Sequence, residues 1–563
     1  MNTIKIVIIG GVAGGASAAV RARRLSESAE IILLERGAYV SFANCGLPYH
    51  ISGEITDRQQ LLLKTPQDFI DRFNIDVRIE HQVLHIDAAN KVLQVKNEHT
   101  GEIYHESYDQ LLISTGGNPI RPAMPGVDLP GVFTLRTLPD MDRILAYIQQ
   151  HPLTHATVVG GGFIGLEMVE ALVNRGVNVT LLELGSQVMA PVDAEMAAVL
   201  HQVIRQKGVD LRLQSGLTAI TPADDTHALQ LRLNTSETLA TDMVLLAIGV
   251  KPDTQLAKGA QLALGPHGGI QVDECMRTSD LSIYAVGDVV ETAEWVTGNM
   301  MLVPLAGPAN RQGRIAADNM LNGHGHRRYQ RSQATAICKV FDHAIASVGL
   351  NEKALQRLQM EYETVYVHAA NHASYYPGSS PISLKLLFSA VTGAILGAQA
   401  VGKAGIDKCI DVLAVAQRAN LKVQDLEDLE LSYAPPFNSA RDVVNQIGML
   451  ASNVLNGDTQ ICHVADILNI DPQRQCLLDV RTSNELKTLG MFVAALHIPV
   501  DELRSRLNEL PKDKEILIAC QSGLRGHVAY RLLMQHGFRA RNLSGAIKPI
   551  SCLLLNYSMA GWC

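Results

Sequence analysis

Residues 4–15, IKIVIIGGVAGG, decide the fold of the first part of the chain. A short β-branched run followed by four glycines in six residues predicts a strand, a tight turn and a helix, and such a turn holds pyrophosphate at the helix N-terminus. Val12 stands where the strict G-x-G-x-x-G pattern has its second glycine. An acidic residue that ends the next strand can accept hydrogen bonds from ribose hydroxyls. The residues expected to bind a dinucleotide here are Gly10, Gly14, Gly15 and Glu35.

The same pattern returns about 150 residues later, at 160–165 (GGGFIG), with all three motif glycines in place. Glu183 again ends the strand that follows, and 184–187 contain no arginine. Because a carboxylate accepts from a ribose 2′-hydroxyl and repels a 2′-phosphate, this site favours NADH over NADPH. The residues expected to bind here are Gly160, Gly162, Gly165 and Glu183.

Length, charge and cysteine usage limit the class of protein. The 563 residues predict about three to four domains, and a net charge of −8 argues against binding nucleic acid by bulk charge. The uncharged run 6–20 is too short and too rich in glycine to span a membrane, and its cleavage as a signal peptide would destroy the first turn. Nine scattered cysteines without C-x-x-C indicate reduced thiols and no metal site. We therefore expect a cytoplasmic protein with no membrane partner.

Residues 278–288, TSDLSIYAVGD, end in Gly-Asp after an apolar strand. This segment resembles the T-x(5,6)-[apolar]-[apolar]-G-D motif of the flavoprotein disulfide reductases, and Thr115-Gly116 and Gly249 resemble the bridging strands of that family. The resemblance implies that Asp288 contacts the ribityl chain of FAD. It also implies that the first turn binds FAD and the second a nicotinamide dinucleotide.

Residues 41–49, SFANCGLPY, contain one cysteine, Cys45, and no second cysteine close after it. The segment resembles the single-cysteine branch of that family: NADH peroxidase, NADH oxidase and CoA-disulfide or CoA-persulfide reductase. A single thiol must cycle through a mixed disulfide or a sulfenate. The peroxidase and oxidase relatives carry a histidine in the first turn, where this chain has Ala13. The resemblance therefore favours the CoA-linked reductases, with Cys45 as the catalytic thiol.

The helix predicted after the first turn carries Arg21 and Arg24, which share a face at i, i+3 spacing. Guanidinium groups suit the phosphates of CoA, whereas the alternative is a solvated helix face. By position, the resemblance implies CoA contacts at Ser17, Arg21, Arg24, Ser41 and Asn44.

Residues 431–437, LSYAPPF, resemble the A-Y-A-P-P-[FY] segment of the CoA-disulfide reductases. The resemblance implies a homodimer in which Tyr433 reaches the cysteine of the other subunit, with Arg441 as a CoA contact and Tyr375 as a second tyrosine. A phenol beside a thiol could donate to a leaving thiolate. Simple packing at an interface is the alternative interpretation of both tyrosines.

Residues 520–525, CQSGLR, follow an apolar strand and precede a predicted helix. They resemble the C-x-x-G-x-R loop of the rhodaneses, which implies that Cys520 and Arg525 are catalytic. The backbone N–H groups of such a loop and the helix N-terminus are expected to lower the thiol pKa and stabilise a persulfide. An inactive rhodanese-like fold is the alternative.

Together these patterns predict an α/β protein with two Rossmann-like dinucleotide-binding domains, an α+β dimerisation domain and a C-terminal rhodanese-like α/β domain. The expected bounds are 1–150 with 255–326 for FAD, 151–254 for NAD, 327–445 for dimerisation, 446–458 for a linker and 459–563 for the rhodanese.

The predicted function is NADH-dependent reduction of CoA persulfide, polysulfide or disulfide, coupled to a rhodanese thiol. One alternative is an NADH oxidase or peroxidase with a Cys45 sulfenate. Another is a redox-sensing sulfur carrier with slow turnover. Cys552 and Cys563 have no assigned role.

Overall fold

The computed structural model describes residues 3–223, 227–490, 492 and 494–547. Cys552, Cys563 and the rest of the predicted rhodanese domain beyond 547 lie outside the described residues. Contacts between Cα atoms divide the chain into two units, one of 1–186 with 208–334 and one of 187–207 with 335–563. Among the described helices, none is long and apolar enough to cross a membrane.

The first unit contains two five-stranded parallel sheets, one for each glycine-rich turn. In sheet order the first comprises Ile283–Ala285, Gln110–Ile113, Lys5–Ile9, Glu30–Glu35 and Asp76–Ile79. The second comprises Asp210–Arg212, Asn178–Leu182, His155–Val159, Met243–Leu246 and Val132–Phe133. Each turn follows the central strand of its sheet, so it lies at the carboxyl edge, where doubly wound sheets bind ligands.

Smaller antiparallel and mixed sheets complete the first unit. Their strands are His81–Asp87, Val92–Asn97 and Ile103–Ser107; Leu217–Pro222, Leu229–Leu233 and Thr238–Thr241; Gly117–Pro119 and Val250–Pro252; and Ile270–Gln271, Val290–Ala293 and Met300–Leu302. The α-helices of this unit are Ala13–Leu25, Leu47–Ser52, Pro66–Phe73, Leu138–Gln150, Phe163–Asn174, Gln255–Gly259 and Ala306–Asn322.

Close packing of two helices positions the first turn. Ala13–Leu25 and Ala306–Asn322 approach so closely that a Cβ on Gly313 would lie 2.2 Å from the Gly14 oxygen. Only glycine permits this approach, which brings the long helix against the first turn. The apolar faces of both helices are buried with the sheet in one core.

The second unit begins with a five-stranded antiparallel sheet. In sheet order its strands are Ala336–Val340, His343–Gly349, Ile395–Gly402, Pro381–Phe388 and Glu363–Ala370. The α-helices that accompany it are Ala194–Gln206, Glu352–Arg357, Ile406–Arg418 and Val443–Leu455. The helix Ala194–Gln206 comes from the predicted NAD domain, yet its contacts assign it to this unit.

The segment expected to be a linker, 446–458, is helical for most of its length. Val443–Leu455 buries Val443, Val444, Ile447 and Ala451 in the core of the antiparallel sheet. The apolar residues recur at helical spacing, and the sheet supplies the surface that covers them. These residues therefore belong to the packed core of this domain.

The rest of the second unit contains a five-stranded parallel sheet. In sheet order its strands are Ile461–Cys462, Arg539–Leu543, Glu515–Ala519, Gln475–Asp479 and Leu496–His497. Its α-helices are Val464–Leu468, Ser483–Leu489 and Leu524–Gln535. With the three other domain folds, this sheet confirms the predicted α/β class.

Three polar contacts join the parallel sheet region to the edge strand Glu363–Ala370 of the antiparallel sheet. His463 Nε2 lies 2.8 Å from Glu363 Oε1, and His368 Nε2 lies 3.1 Å from the Gly545 oxygen. Ser544 Oγ donates to the Thr364 oxygen at 3.0 Å. Polar contacts thus cover part of an otherwise open sheet edge.

Candidate active sites

The first glycine-rich turn is too tight for side chains. Gly10 has a φ of +95°, and a Cβ on Gly15 would lie 1.8 Å from the Gly10 oxygen. The Glu35 carboxylate spans the turn, accepting from the Gly11 N–H at 2.8 Å and the Gly37 N–H at 2.8 Å. The acidic side chain is thereby fixed beside the N-terminus of the helix that begins at Ala13. This is the arrangement that ribose and pyrophosphate recognition requires.

The second turn repeats this geometry. Glu183 accepts from the Gly161 N–H at 2.7 Å and the Gly185 N–H at 2.6 Å. A Cβ on Gly165 would lie 1.9 Å from the Gly160 oxygen, whereas a Cβ on Gly162 would meet no atom within 4 Å. Gly162 therefore leaves an open space beside the helix N-terminus, into which a phosphate group could fit.

Asp288 is a half-buried carboxyl with no hydrogen-bond or ion-pair partner in the described part of the chain. Its burial raises the pKa of the carboxyl, and the positive charge of Arg136 opposes that rise. Arg136 in turn donates to the Thr115 oxygen at 3.1 Å, and Thr115 Oγ1 donates to the Asp253 oxygen at 2.8 Å. A desolvated carboxyl without a protein partner fits a bound polyhydroxyl chain such as the ribityl group of FAD.

Both bridging-strand glycines adopt the left-handed backbone region. Gly116 has a φ of +70° and Gly249 a φ of +114°, and the Gly249 oxygen accepts from the Ile120 N–H at 3.0 Å. Their strands, Gly117–Pro119 and Val250–Pro252, pair with each other. Because the two strands are antiparallel, the two predicted glycines lie at opposite ends of one short ribbon, Gly116 beside Asp253 and Gly249 beside Ile120.

Cys45 is exposed on the 3₁₀ turn Asn44–Gly46. Its N–H donates to Asn44 Oδ1 at 3.1 Å, and its Sγ lies 3.7 Å from the same oxygen. The Ser41 N–H donates to the Gly11 oxygen at 2.8 Å, and Ser41 has a left-handed φ of +47°. The cysteine segment is therefore tied directly to the first glycine-rich turn.

The surroundings of Cys45 are electronegative. Partial removal of the thiol from water raises its pKa, and the carboxylates of Glu167 and Asp288 raise it further. Glu167 lies on the helix Phe163–Asn174 that follows the second turn, and it accepts from the Tyr49 hydroxyl at 3.3 Å. The sequence patterns did not single out Glu167, although its place two residues after Gly165 was visible. Carboxylates from both predicted nucleotide sites therefore raise the pKa of Cys45.

The two arginines expected to bind CoA differ in their surroundings. Arg21 is paired with the buried Asp318, Nη2 to Oδ1 at 2.6 Å, whereas Arg24 is exposed and has no ion-pair partner among the described residues. Ser17 Oγ donates to Asn310 Oδ1 at 2.8 Å. Arg21 is thus not the free guanidinium that the i, i+3 pattern suggested, because a distant acidic residue compensates its charge.

Tyr375 and Tyr433 come together although 58 residues separate them in the chain. Their hydroxyl oxygens lie 3.1 Å apart, and the side chains are 75% and 48% exposed. This hydrogen bond raises the pKa of Tyr375. Phe437 and Arg441 are also exposed nearby in sequence. Exposed aromatic side chains of this kind are typical of a surface that a partner covers.

Cys520 is buried, at 1% exposure, at the end of the strand Glu515–Ala519. The Gly523 N–H donates to its Sγ at 3.1 Å, and Gly523 has a φ of +106°. Burial raises the pKa of this thiol despite the opposing N–H groups of Gly523, Gly526 and Ser522 and the charge of Arg525. The expectation of a lowered thiol pKa was therefore wrong, because desolvation outweighs the loop dipoles.

Arg525 is held by Glu485 in a two-pronged ion pair, with Nη1 to Oε2 at 2.7 Å and Nη2 to Oε1 at 2.6 Å. The hydrogen bonds from Arg525 lower the pKa of Glu485 to about 2. Glu485 also caps its own helix through Thr482. Glu485 was not among the predicted catalytic residues, and its contact with Arg525 spans 40 residues of sequence.

Three family descriptions match successive parts of the chain. Residues 4–310 match pyridine nucleotide-disulphide oxidoreductase, and residues 335–443 match the dimerisation domain of that family. Residues 464–551 match the rhodanese-like domain. The resemblance drawn from the motifs is confirmed.

Individual relatives agree with these matches. Coenzyme A disulfide reductase of Staphylococcus haemolyticus is 33% identical over 452 residues, covering 80% of this chain and all of the relative. The crystal structure of reduced Bacillus anthracis CoADR-RHD is 48% identical, with a TM-score of 0.96 and 99% of each chain covered. The NAD-dependent persulfide reductase from A. fulgidus is 36% identical, with a TM-score of 0.90, covering 97% of this chain and all of that one.

Proposed function

Because the chain belongs to the pyridine nucleotide-disulphide oxidoreductase family, we propose that it uses NADH to reduce a disulfide or persulfide of coenzyme A at Cys45. One observation carries the proposal. Cys45 is the sole exposed cysteine among the described residues, and carboxylates from both nucleotide sites act on its thiol. The names of the relatives, coenzyme A disulfide reductase and persulfide reductase, support the substrate class.

The family implies FAD and a nicotinamide cofactor, and the residues present fit both. Glu35 and the unpartnered Asp288 would hold FAD, and Glu183 and the open space at Gly162 would hold the dinucleotide. When bound, FAD supplies the two-electron chemistry that links the nicotinamide to the thiol. Glu183 favours NADH, since its carboxylate repels a 2′-phosphate.

The first chemical step belongs to Cys45. Its thiolate attacks one sulfur of CoA disulfide, so that a Cys45–CoA mixed disulfide forms and one CoA thiolate leaves. With CoA persulfide the same attack at the CoA-bearing sulfur releases HS⁻. Two electrons then cleave the mixed disulfide and return the Cys45 thiolate and a second CoA thiol. Asn44, whose oxygen lies 3.7 Å from Sγ, orients the thiol.

The paired tyrosines supply the proton. The dimerisation domain suggests a homodimer. In that dimer we place Tyr433 of one subunit beside the cysteine of the other, where its hydroxyl donates to the leaving thiolate. Tyr375, hydrogen-bonded to Tyr433, holds that hydroxyl in place. Arg24, Ser17 and Arg441 are the proposed CoA contacts, whereas Asp318 compensates the charge of Arg21.

The rhodanese thiol handles sulfane sulfur. Cys520 attacks the outer sulfur of a persulfide or polysulfide donor, and the donor leaves as a thiolate while a Cys520 persulfide forms. The N–H groups of Gly523, Gly526 and Ser522 hold the persulfide anion, and Arg525 keeps a positive charge at the loop. An acceptor thiol such as CoA then takes the sulfur and becomes a substrate for Cys45.

The test measures NADH turnover with CoA disulfide, CoA persulfide and inorganic polysulfide for the FAD-loaded protein and three variants. Cys45→Ser is expected to abolish turnover of all three, and Cys520→Ser to reduce turnover of polysulfide alone. Cys476→Ser, which removes a half-buried thiol of the rhodanese domain, is the matched control. Full turnover in Cys45→Ser contradicts the reductase proposal, and unchanged polysulfide turnover in Cys520→Ser contradicts the rhodanese role alone.

A further inference from the structure

A cluster of three metal-ligand side chains lies in the first unit, apart from the residues proposed above. Asp273, Cys275 and His324 each offer a ligand atom, and these atoms all lie within 4.8 Å of one another. A tetrahedral zinc site has ligand atoms about 3.3 to 3.8 Å apart, so closure needs a contraction of about 1 Å. His324 Nε2 and Asp273 Oδ2 already lie 3.6 Å apart.

We propose that Asp273, Cys275 and His324 form a binding site for a divalent cation of the zinc class. Thiolate, imidazole and carboxylate are the donor types that Zn²⁺ takes. Three protein ligands leave the fourth position to water. The side chains of Asp273 and His324 are 36% and 40% exposed, so that the cation can enter and exchange.

The backbone holds the ligands in place before any cation binds. Asp273 Oδ1 accepts from the N–H groups of Cys275 at 2.8 Å and Arg277 at 3.0 Å, which leaves Oδ2 directed toward His324. The buried Asn319 links the segment that contains Cys275 to the segment that follows His324. It donates to the Cys275 oxygen at 3.2 Å and to the Arg327 oxygen at 2.7 Å. Hydrogen bonds of this kind orient ligands in protein metal sites.

The surrounding charges leave the site open to a cation. Arg277 Nε lies 3.7 Å from Asp273 Oδ2, which is a long contact that a bound cation can replace. Arg328 is paired with Glu274 and so is compensated. A second group of carboxylates, Asp193, Glu195 and Glu352, lies in the second unit. There the Lys385 ammonium already supplies the positive charge, 2.8 Å from Asp193 and 2.5 Å from Glu195.

Cobalt(II) is the probe, because it replaces zinc and its tetrahedral sites absorb in the red, beyond flavin absorption. The full-length, FAD-loaded protein carries Cys45→Ser and Cys520→Ser to remove the two proposed reactive thiols. We expect one cobalt per chain with tetrahedral bands, abolished by Cys275→Ser and retained in Cys476→Ser. Bands that are absent from the parent protein, or that persist in Cys275→Ser, overturn the proposal.

Because Cys275 is buried, loss of cobalt binding in Cys275→Ser could also follow from misfolding, so a second variant at an exposed ligand is needed. His324 is exposed, so His324→Ala should keep the FAD content and the melting temperature of the metal-free protein. We expect it to weaken cobalt binding at least 10-fold and to remove the rise in melting temperature that zinc causes in the parent. Unchanged cobalt affinity in His324→Ala overturns the proposal.

Discussion

In the second glycine-rich turn, two glycine-to-alanine substitutions are expected to act differently: one should weaken ligand binding and leave folding intact, and the other should disturb the fold. Gly162 has φ −83° and ψ −169°, a conformation open to alanine, and a Cβ there would meet no atom within 4 Å. Gly162→Ala should therefore fold and retain FAD. In Gly165→Ala the Cβ would lie 1.9 Å from the Gly160 oxygen, so that the turn itself must distort.

The size of the effect follows from what the methyl group displaces. If pyrophosphate approaches the backbone at Gly162, the methyl group pushes it away and costs about one charge-assisted hydrogen bond. Such a bond contributes about 1.5 to 3 kcal/mol, and about 1.4 kcal/mol corresponds to a factor of ten in affinity. The dissociation constant for NADH should therefore rise about 10- to 150-fold.

The assay is NADH oxidation with saturating CoA disulfide, with KM and kcat determined separately and FAD content and melting temperature as folding controls. For Gly162→Ala we expect KM for NADH to rise within the stated range while kcat changes less than about twofold, because the chemistry is untouched. Gly165→Ala should lose stability or NADH binding altogether. A wild-type KM in well-folded Gly162→Ala would refute the placement of pyrophosphate at this turn.

Three further outcomes are expected. Because Glu167 raises the pKa of Cys45, the reduction of CoA disulfide should accelerate as pH rises through that pKa. Glu167→Gln should therefore move the pH profile of kcat/KM to lower pH. An unmoved profile argues against an effect of Glu167 on the Cys45 thiol. Tyr433→Phe should lower kcat about 10- to 100-fold with little change in KM for NADH, measured at saturating CoA disulfide. The ion pair with Arg525 holds the pKa of Glu485 at about 2, so the stabilisation that the pair gives is complete above about pH 4.5 and is lost as pH falls toward 2. Glu485→Gln should lower the free energy of unfolding in urea by about 1 to 2 kcal/mol at pH 7. An unchanged free energy of unfolding at pH 7 contradicts a stabilising pair.

Local patterns predicted the parts of the fold that depend on local geometry. The glycine spacing at 10–15 and 160–165 requires a strand, a turn and a helix, and both turns have that form. The acidic residue that ends the strand after each turn, Glu35 or Glu183, accepts a hydrogen bond from a glycine of that turn. The spacing along the chain suggested this arrangement. Such features are readable because the same few residues both specify the turn and form it.

Contacts between distant segments were not readable from the sequence. The partner of Arg21 is Asp318, almost 300 residues away, and no pattern near either residue announces the pair. The segment 446–458 was expected to be a linker because the sheet that covers the apolar side of the helix Val443–Leu455 is built from other segments. The raised pKa of Cys520 likewise depends on burial, which the loop motif alone does not encode.

The tyrosine pair shows where a resemblance helps beyond local patterns. Tyr375 and Tyr433 share no spacing rule, yet both were identified from the motifs around them, and their hydroxyls lie within hydrogen-bonding distance. The Tyr433→Phe measurement tests the proposed function of the pair.

The central claim is that the Cys45 thiolate forms a mixed disulfide with CoA, and mass spectrometry of the trapped adduct tests it most directly. The FAD-loaded protein is mixed with CoA disulfide in the absence of NADH, quenched in acid and digested without reductant. We expect one CoA on the peptide that contains Cys45, and we expect this CoA to disappear when NADH is added before the quench. An unmodified Cys45 peptide, or CoA on a different cysteine, would contradict the account.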